Sequence, residues 1–150
     1  MFRGRFAHAM DSKGRLAIPA PFRTELDRRS TDPPILTLSA ECLRLYAHDD
    51  WCTYEESMVN VNSFDPDVEE LMRLEISGAF TSKLDAQGRV LVPPFMREHA
   101  QINRDIVLAG VGNFIELWDK ARFDAQIART QARILEIKRR VATRDAGGDQ

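Results

Sequence analysis

One nine-residue sequence occurs twice in this chain, and this repeat limits the possible folds more than any other feature. Residues 11–19 read DSKGRLAIP and residues 85–93 read DAQGRVLVP, so Asp, Gly, Arg and Pro return in the same order 74 positions later, from 11 to 85. An internal match of this length indicates two copies of one small structural unit. Any surface that the unit presents should therefore occur twice on the molecule.

The similarity continues beyond the repeated sequence, and Arg23 matches Arg97 at the same shift of 74. Further along, apolar residues match at a shift of 72, from 35 to 107: Ile35-Leu36, Leu43, Leu45-Tyr46 and Trp51 correspond to Val107-Leu108, Ile115, Leu117-Trp118 and Phe123. The first copy thus carries about two extra residues, which are most simply placed in a loop around Thr31 to Pro34. Loops tolerate such differences between homologous units.

Chain length indicates how the two copies are combined. The chain has 150 residues, of which 43% are hydrophobic, so the whole can bury a core while each half alone is marginal in size. We therefore expect two half-units that share one core or pair with other subunits. Each half-unit should contain about four short strands and a small helix.

The repeated sequence itself predicts a tight turn between two strands. Residues 5–10 and 15–18 alternate between apolar and polar side chains, as strands do. Between them, Asp11 and Gly14 occupy the first and fourth positions of a type I turn, where the carboxylate can accept a backbone N–H. The motif is therefore a hairpin or a strand-turn-strand corner, and residues 85–88 should repeat it.

Helices are expected after each motif and after each half-unit. Pro21 and Pro94 can each occupy the first turn of a short helix. Asp49 or Asp50 can cap a helix whose apolar face contains Trp51, Tyr54, Met58 and Val61, and Asp65-Pro66 begins another. Gly78 closes the connector that these two helices form. The face of that second helix carries Val68, Leu71, Met72 and Leu74.

A longer helix is predicted after the second copy. Asp119 can cap it, and an apolar row then recurs at alternating steps of four and three residues, a narrow heptad-like pattern. The row consists of Phe123, Ile127, Thr130, Ile134, Ile137 and Val141. It can pack on its own domain or against a neighbouring subunit, and the sequence leaves both open. Residues 146–150 are expected to form a frayed tail.

Charge is distributed very unevenly along the chain. The formal net charge is −2, but residues 1–29 contain seven Arg or Lys against three acids, whereas residues 30–80 contain two against eleven. A basic head and an acidic middle would let one face attract a polyanion while the rest keeps the molecule soluble.

The cations near the two motifs suggest where an anion could bind. The first turn carries Lys13 and Arg15, and we expect Arg3 and Arg5 to lie beside them on one tip; the planar guanidinium of Arg can bind phosphate or the edge of guanine. The second motif offers Lys83 and Arg89 but has Gln87 in place of Lys13. Alternatively, Asp11 pairs with Arg15 and Asp85 with Arg89 only to brace the turns. Both interpretations hold together if Asp orients an Arg that also contacts DNA.

Other chemistry is poorly supported. Cys42 and Cys52 lack the close spacing of a zinc site and are expected to be reduced thiols. His8 and His99 have no nearby partner in the sequence that would make them catalytic. An enzyme is therefore less favoured than two other classes. One is a DNA-binding protein, and the other is an assembly or interaction module in which the repeat serves packing and the acidic middle recruits a basic partner. No apolar run can cross a bilayer and the N-terminus has no signal-peptide core, so we expect a soluble, cytoplasmic protein.

The motifs together closely resemble the bacterial MraZ family. The resemblance rests on Met1-Phe2-Arg3-Gly4, residues 11–19, Phe22-Arg23, the second Asp-x-x-Gly-Arg and Glu116-Leu117-Trp118. It covers nearly the whole chain except the tail. It implies a transcriptional regulator of the division and cell-wall gene cluster, associated with the nucleoid. It also implies two AbrB-like, swapped-hairpin half-units in a mainly β fold with helices, forming a small double-psi-like barrel.

The resemblance also implies the site and the partners. The family's Asp-x-x-x-Arg pattern falls on Asp11 and Arg15, and again on Asp85 and Arg89. The predicted DNA-binding residues are Arg3, Arg5, Lys13, Arg15, Lys83 and Arg89, and the predicted turn-organising residues are Asp11, Gly14, Asp85 and Gly88. The expected partners are double-stranded DNA with repeated boxes in the chain's own promoter, and further copies of the chain in a ring. No cofactor, metal, membrane or small-molecule substrate is expected.

The predicted domain bounds follow from the two repeats. Residues 5–51 should form the first AbrB-like repeat and residues 79–123 the second. Residues 52–78 should form a helical connector, and residues 124–150 the C-terminal helix and flexible tail.

Overall fold

The computed structural model describes residues 1–61 and 64–148. In the first repeat the chain forms four strands and one helix, in this order: β1 (Arg5–Ala9), β2 (Arg15–Ala17), α1 (Ala20–Arg29), β3 (Ile35–Leu38) and β4 (Leu43–Tyr46). Two helices, α2 (His48–Asn60) and α3 (Pro66–Glu75), lie between the repeats in sequence. The expectation of four short strands and a small helix for this repeat is confirmed.

The second repeat has the same order of elements. They are β5 (Phe80–Thr81), β6 (Arg89–Leu91), α4 (Pro94–His99), β7 (Asp105–Gly110) and β8 (Ile115–Asp119). As predicted, Pro21 and Pro94 lie in the first turns of α1 and α4. α1 has ten residues and α4 has six, and five residues separate each helix from the next strand. The extra residues of the first copy therefore lie in the helix, and their expected position in the loop around Thr31 to Pro34 is wrong.

The strands of the two repeats are exchanged in one six-stranded sheet. Its order is β1-β7-β8-β4-β3-β5, so the first strand of each repeat pairs with the third strand of the other. Both of these pairings are antiparallel, Arg5 to Ala9 against Ala109 to Asp105 and Phe80 to Thr81 against Leu36 to Ile35. If the strands of each repeat are replaced by the corresponding strands of the other and the order is reversed, the same order results. The sheet therefore has internal two-fold symmetry.

The second strands of the two repeats pair with each other instead. β2 and β6 form a separate antiparallel ladder in which Leu16 lies opposite Val90. Because β1 and β2 belong to different sheets, the repeated motif is a strand-turn-strand corner and the hairpin alternative is wrong. The ladder therefore brings the two copies of the motif together.

One hydrophobic core is shared by both repeats. Leu16 and Val90 from the ladder are fully buried, and they join buried residues from both halves of the large sheet. The largest fully buried side chains include Phe22, Leu36, Leu45, Met96, Ile106, Leu108 and Leu117. Neither repeat thus encloses a core alone, as the small size of each half requires.

The sheet does not close into the expected double-psi-like barrel. Its edge strands are β1 and β5, and among the residues described they do not pair with each other. β5 is only two residues long and bonds to β3 alone. The observed fold is thus an open, antiparallel sheet with a two-stranded ladder and helices.

Two predictions about helix ends need correction. Ala47 occupies the N-cap position of α2, and Asp49 and Asp50 lie inside the first turn, where their charges favour the positive end of the helix dipole. Val61 lies just beyond the end of α2 and is exposed. By contrast, the predicted cap of α3 is confirmed, because the Asp65 side chain accepts a bond from the backbone N–H of Asp67.

The predicted C-terminal helix is two helices, α5 (Lys120–Ala132) and α6 (Ile134–Gly148). At the junction the Arg133 N–H bonds to the carbonyl of Thr130, three residues back, instead of four. Of the apolar row, Ile134 and Val141 are exposed. Residues 149 and 150 of the expected tail lie outside the described residues, and α6 extends through residues 146–148.

The contacts divide the chain into two compact units, Met1–Lys120 and Ala121–Gln150. All the strands of both repeats lie in the first unit, whereas residues 121–123, which the predicted bounds assign to the second repeat, lie in the second unit. Across residues 1–61 and 64–148, no helix has the length and apolar character needed to cross a bilayer.

Candidate nucleic-acid interface

The first turn is organised by one carboxylate. Oδ1 of Asp11 accepts the backbone N–H groups of Lys13 and Arg15 at 2.9 and 2.8 Å, and Oδ2 accepts Nε of Arg15 at 2.6 Å. The turn is closed by the Gly14 N–H, which donates to the Asp11 carbonyl at 3.0 Å. Asp11 therefore fixes the backbone of the turn and the direction of the Arg15 side chain together.

The second turn repeats this arrangement bond for bond. Asp85 accepts the N–H groups of Gln87 and Arg89 at 2.9 and 3.0 Å, and it accepts Nε of Arg89 at 2.9 Å. In both turns the bond from the arginine's backbone N–H is the largest cause that lowers the pKa of the aspartate, Asp11 or Asp85, below the ordinary value. Both carboxylates are thus ionised at neutral pH, and bracing of the turns is an observed feature.

An arginine of the other repeat lies close to each turn. Gly14 and Gly88 have φ angles of +81° and +74°, which residues with a side chain rarely adopt. A Cβ at Gly14 would lie 3.2 Å from the Arg97 guanidinium carbon, and one at Gly88 would lie 2.9 Å from Cδ of Arg23. Glycine at these positions therefore permits the turn and leaves room for an arginine to cross it.

The ladder between β2 and β6 presents one exposed face. Leu16 and Val90 point into the core, so the alternate residues of both strands point outwards. These are Arg15 and Ala17 on β2, and Arg89 and Leu91 on β6. The side chains of Arg15 and Arg89 are 37% and 27% exposed, and Nη1 of Arg89 lies 3.9 Å from Oδ2 of Asp11. We call this surface the arginine face.

The arginines of this face keep donors available for a ligand. Nε of Arg15 and Nε of Arg89 bond to their aspartates. Within the described residues, the terminal nitrogens of Arg15 donate no hydrogen bond, and Nη1 of Arg89 has only the long ion contact to Asp11. A guanidinium held by Nε still offers its terminal donors to phosphate or to a base edge.

The other predicted cations are spread more widely than expected. Lys13 is exposed in the first turn, and Lys83 is exposed two residues before Asp85. Arg3 and Arg5, however, lie at the opposite end of β1 from the turn, because the strand is paired with β7 along its whole length. At about 3.3 Å per residue, Arg5 is roughly 20 Å along the chain from Asp11. The expectation that Arg3 and Arg5 share one tip with Lys13 and Arg15 is wrong.

The grooves beside the two turns contain arginines that the sequence interpretation missed. The groove at the first turn is lined by Asp11, Ser12, Arg97 and Arg104. Nε of Arg97 is buried without a hydrogen-bond partner among the described residues. The only signal in the sequence was the correspondence of Arg23 and Arg97 at the shift of 74, which gave no indication that each crosses the other repeat's turn.

The groove near the second turn has a more mixed charge. It is lined by Arg23 and Lys83 but also by Asp27 and Asp32. The first turn therefore lies among cations, whereas acids accompany the cations near the second.

The surroundings of both cysteines favour the thiol over the thiolate. Cys42 is buried, and burial followed by the nearby Glu116 carboxylate raises the pKa of its thiol. The pKa of Cys52 is also raised, by desolvation and then by surrounding carboxylates. Nε2 of His99 lies 2.5 Å from the Ser39 carbonyl oxygen. These groups have structural surroundings rather than the geometry of an active site.

Two exchanged repeats, with paired Asp-Arg turns on one ladder, define a duplicated β-sheet protein with two arginines on one exposed face. A family model described as "MraZ protein, putative antitoxin-like" matches residues 1–74 and 76–145. The chain therefore belongs to the MraZ family.

Curated relatives cover most of this chain. A protein named transcriptional regulator MraZ from Syntrophobacter fumaroxidans is 40% identical over 126 residues, 84% of each chain. Its namesake from Thermomicrobium roseum is 37% identical over 144 residues, 95% of this chain and 99% of its own. That from Pseudomonas syringae pv. tomato is 40% identical over 137 residues, 87% and 91% respectively.

Proposed function

We propose that this protein is a sequence-specific, DNA-binding transcription regulator and that the arginine face is its contact surface. One observation carries the proposal: Arg15 and Arg89 come from sequence positions 74 apart, yet the ladder places both on one exposed face with terminal donors available. The names of the relatives, all transcriptional regulators, support the same role.

The dimensions of the ladder suit the major groove of DNA. Two paired strands lie about 4.8 Å apart, and the major groove, about 12 Å wide, admits a two-stranded β-ribbon. In this arrangement Arg15 and Arg89 reach base edges or the flanking phosphates, while Lys13 neutralises a phosphate. Phosphate contacts supply affinity and register, and base contacts supply specificity.

The braces explain how an acidic residue can belong to a DNA-binding surface. Asp11 is satisfied by two backbone N–H groups and Nε of Arg15, so its charge is compensated locally. In return, Arg15 is held in one direction before DNA arrives, which reduces the entropy lost on binding. Asp85 does the same for Arg89.

Assembly would multiply the effect of this small surface. The resemblance to the family implies a ring of copies on repeated boxes in the promoter of the division and cell-wall cluster, at the nucleoid. Several arginine faces on successive boxes would combine modest individual affinities into tight binding. We include Arg3 and Arg5 as outlying phosphate contacts of the assembled protein, and Lys83 as a contact beside the second turn.

Binding to DNA upstream of the chain's own gene tests the proposal. Fluorescence anisotropy should show a specific complex with the upstream fragment, much weaker binding to scrambled DNA, and affinity that falls steeply with salt. A folded Arg15→Ala protein of unchanged mass in solution should bind this fragment roughly a hundredfold more weakly. If that variant binds as well as the wild type, Asp11 and Arg15 only brace the turn and the proposed surface is wrong.

A further inference from the structure

The groove beside the first turn contains two arginines that do not belong to the arginine face. We call it the first groove, and the residues that line it are Met10, Asp11, Ser12, Arg97, Asn103 and Arg104. Of these described residues, Asp11 is the only acid, and its charge is already compensated by Arg15 and by two backbone N–H groups. The first groove therefore has an excess of positive charge.

The backbone places both arginines beside the first turn. Arg97 lies on α4, and its guanidinium carbon is 3.2 Å from the point that a Cβ on Gly14 would occupy. The carbonyl of Arg104 accepts the N–H of Met10 at 2.8 Å. Arg104 therefore lies next to the residue that precedes Asp11. Two arginines of the second repeat thus border the turn of the first.

A tight turn after α4 connects the two arginines. The N–H of Ile102 bonds to the carbonyl of Arg97 at 2.9 Å, and the N–H of the preceding residue bonds to the carbonyl of Glu98 at 3.2 Å, the pattern of a Schellman cap. That preceding residue, Gln101, has a φ of +52°, which residues with a side chain rarely adopt. Ile102 is also buried. The segment that carries both arginines is therefore anchored by hydrogen bonds and by burial.

The guanidinium groups of both arginines are available for a ligand. Within residues 1–61 and 64–148, neither group forms a hydrogen bond or an ion pair, although Nε of Arg97 is buried. Arg104 is exposed. A buried donor without an acceptor is unfavourable, and guanidinium groups form strong hydrogen bonds with phosphate. A phosphate group in the first groove would supply acceptors to both arginines.

The groove near the second turn supplies an internal comparison, and we call it the second groove. Arg23 lines it at the position that corresponds to Arg97 by the shift of 74. Arg104, by contrast, corresponds at the shift of 72 to Asp32, which also lines the second groove. A carboxylate repels a phosphate. The second groove thus has an acid where the first has an arginine.

We propose that Arg97 and Arg104 together bind one phosphate group of the DNA backbone in the first groove. This inference rests on the proposed function and extends the contact surface beyond the arginine face. Phosphate contacts fix the register and the orientation of a protein on the duplex. Because Asp32 prevents the equivalent contact at the second turn, the two halves of the protein bind the DNA unequally and each chain has one orientation on it.

DNA with a single uncharged phosphate group tests this contact. A series of upstream fragments carries one methylphosphonate each, at successive positions, and anisotropy measures the affinity of the full-length protein for every fragment. In the wild type, the methylphosphonate at the position bound by the first groove should weaken binding about three- to tenfold. Arg104→Ala should bind unmodified DNA more weakly by a similar factor, and the same methylphosphonate should not weaken its binding further.

The salt dependence provides a second readout. Arg104→Ala should weaken binding to the upstream fragment and to scrambled DNA by the same factor, and it should reduce the slope of log affinity against log salt by about 1. Arg15→Ala should instead weaken binding to the upstream fragment more than binding to scrambled DNA, because base contacts carry the specificity.

Two further arginines provide controls. Arg73 is an exposed residue of α3 and is not among the described residues that line either groove, so Arg73→Ala should keep the sensitivity of the wild type to the methylphosphonate. Arg23→Ala should keep it as well, whereas Arg97→Ala should lose it. Circular dichroism should confirm that every variant is folded. Arg104→Ala removes an exposed side chain, so the test does not depend on the substitution of half-buried Arg97.

The outcomes separate this inference from the proposed function. If Arg15→Ala loses affinity but a folded Arg104→Ala binds like the wild type, the phosphate contact is wrong and the arginine face stands. The contact is also wrong if Arg104→Ala retains the full sensitivity to every methylphosphonate, or if Arg73→Ala loses the same sensitivity. If the wild type forms no specific complex, the proposed function fails and this contact fails with it.

Discussion

The two turns share a backbone design but differ in their surroundings. Each has an aspartate that accepts two backbone N–H groups and the Nε of an arginine, and each has a glycine in the left-handed region. The first turn carries Lys13 and lies beside Arg97 and Arg104, whereas the second carries Gln87, and Asp27 and Asp32 line the groove near it. The shared part serves structure, and the difference leads us to expect that the first turn makes the stronger contact in the proposed DNA complex.

Substitution of the two arginines gives the largest expected difference. Removal of a specific arginine from a DNA interface costs about 1 to 3 kcal/mol, and we expect the upper end for Arg15→Ala and the lower end for Arg89→Ala. Affinity for the upstream fragment should therefore fall by roughly a hundredfold and roughly fivefold, respectively. Anisotropy titrations at one salt concentration measure both. Equal decreases would show that the turns contribute equally.

Substitution of Gly14 and Gly88 by alanine compares how little space each turn leaves for a side chain. Gly14→Ala should lower the free energy of unfolding by about 2 to 3 kcal/mol, since the left-handed conformation costs about 1 to 2 kcal/mol and the new Cβ would lie 2.9 Å from the backbone carbonyl of Val92. Gly88→Ala should cost less, because its obstacle is the Arg23 side chain, which can move.

Gly112→Ala is the matched control for this comparison. Gly112 has a φ of +78°, and among the described residues no atom lies within 4 Å of the point that an alanine Cβ would occupy, so this variant carries the conformational cost alone. Urea denaturation measures all three variants. If Gly14→Ala is no less stable than Gly112→Ala, the close approach to Val92 is unimportant.

Exchange of Lys13 and Gln87, the corresponding exposed residues of the two turns, should have a smaller effect on DNA binding. Lys13→Gln should weaken DNA binding modestly for all sequences and reduce the slope of log affinity against log salt by about 1 for each phosphate that the protein no longer neutralises. Gln87→Lys should increase the slope if the second turn also approaches a phosphate. If the slope is unchanged in Gln87→Lys and reduced in Lys13→Gln, only the first turn contacts the phosphate backbone of DNA.

The smallest expected effect is the pH dependence of the stabilisation that the ionised aspartates of the turns provide. Because hydrogen bonds lower the pKa of Asp11 below the ordinary 3.8, ionisation of this carboxyl stabilises the fold. That stabilisation is complete above about pH 5 and is lost as the pH falls below 3.8 through the lowered pKa. Asp11→Asn removes it, so the stability difference between wild type and variant should be constant near neutrality and shrink in acid.

Asp85→Asn provides the comparison for the second turn. The pKa of Asp85 is lowered by the same kinds of bonds, so the two variants should behave alike in urea denaturation at a series of pH values. If the stability difference between the wild type and either variant grows in acid, the ionised carboxyl is not the group that stabilises the turn.

Local patterns in the sequence predicted the local structure well. Asp and Gly three residues apart identified both turns, and Asp65-Pro66 identified the cap of α3. The cap of α2 was predicted wrongly because the chain enters the helix directly after β4, at Ala47, and burial of Trp51 and Met58 fixes the helix there. Capping preference is a weak signal when packing opposes it.

The pairing between repeats could not be predicted from local patterns. β1 pairs with β7, about 100 residues later in the chain, and alternation of apolar residues identifies a strand without identifying its partner. For the same reason, proximity in sequence suggests that Arg3 and Arg5 lie at the first turn, whereas the extended β1 separates them from it. Contacts of Arg23 and Arg97 with the opposite turns also depend on this topology.

Strand exchange has a consequence for how this surface can evolve. If each repeat were a separate polypeptide, two identical copies would have to meet, and every change in the turn would appear on both sides. Here the connector makes that association intramolecular, so the folded unit does not dissociate on dilution. A single codon can then change Lys13 without changing Gln87, which allows one half of the arginine face to specialise in the ligand while the other preserves the scaffold.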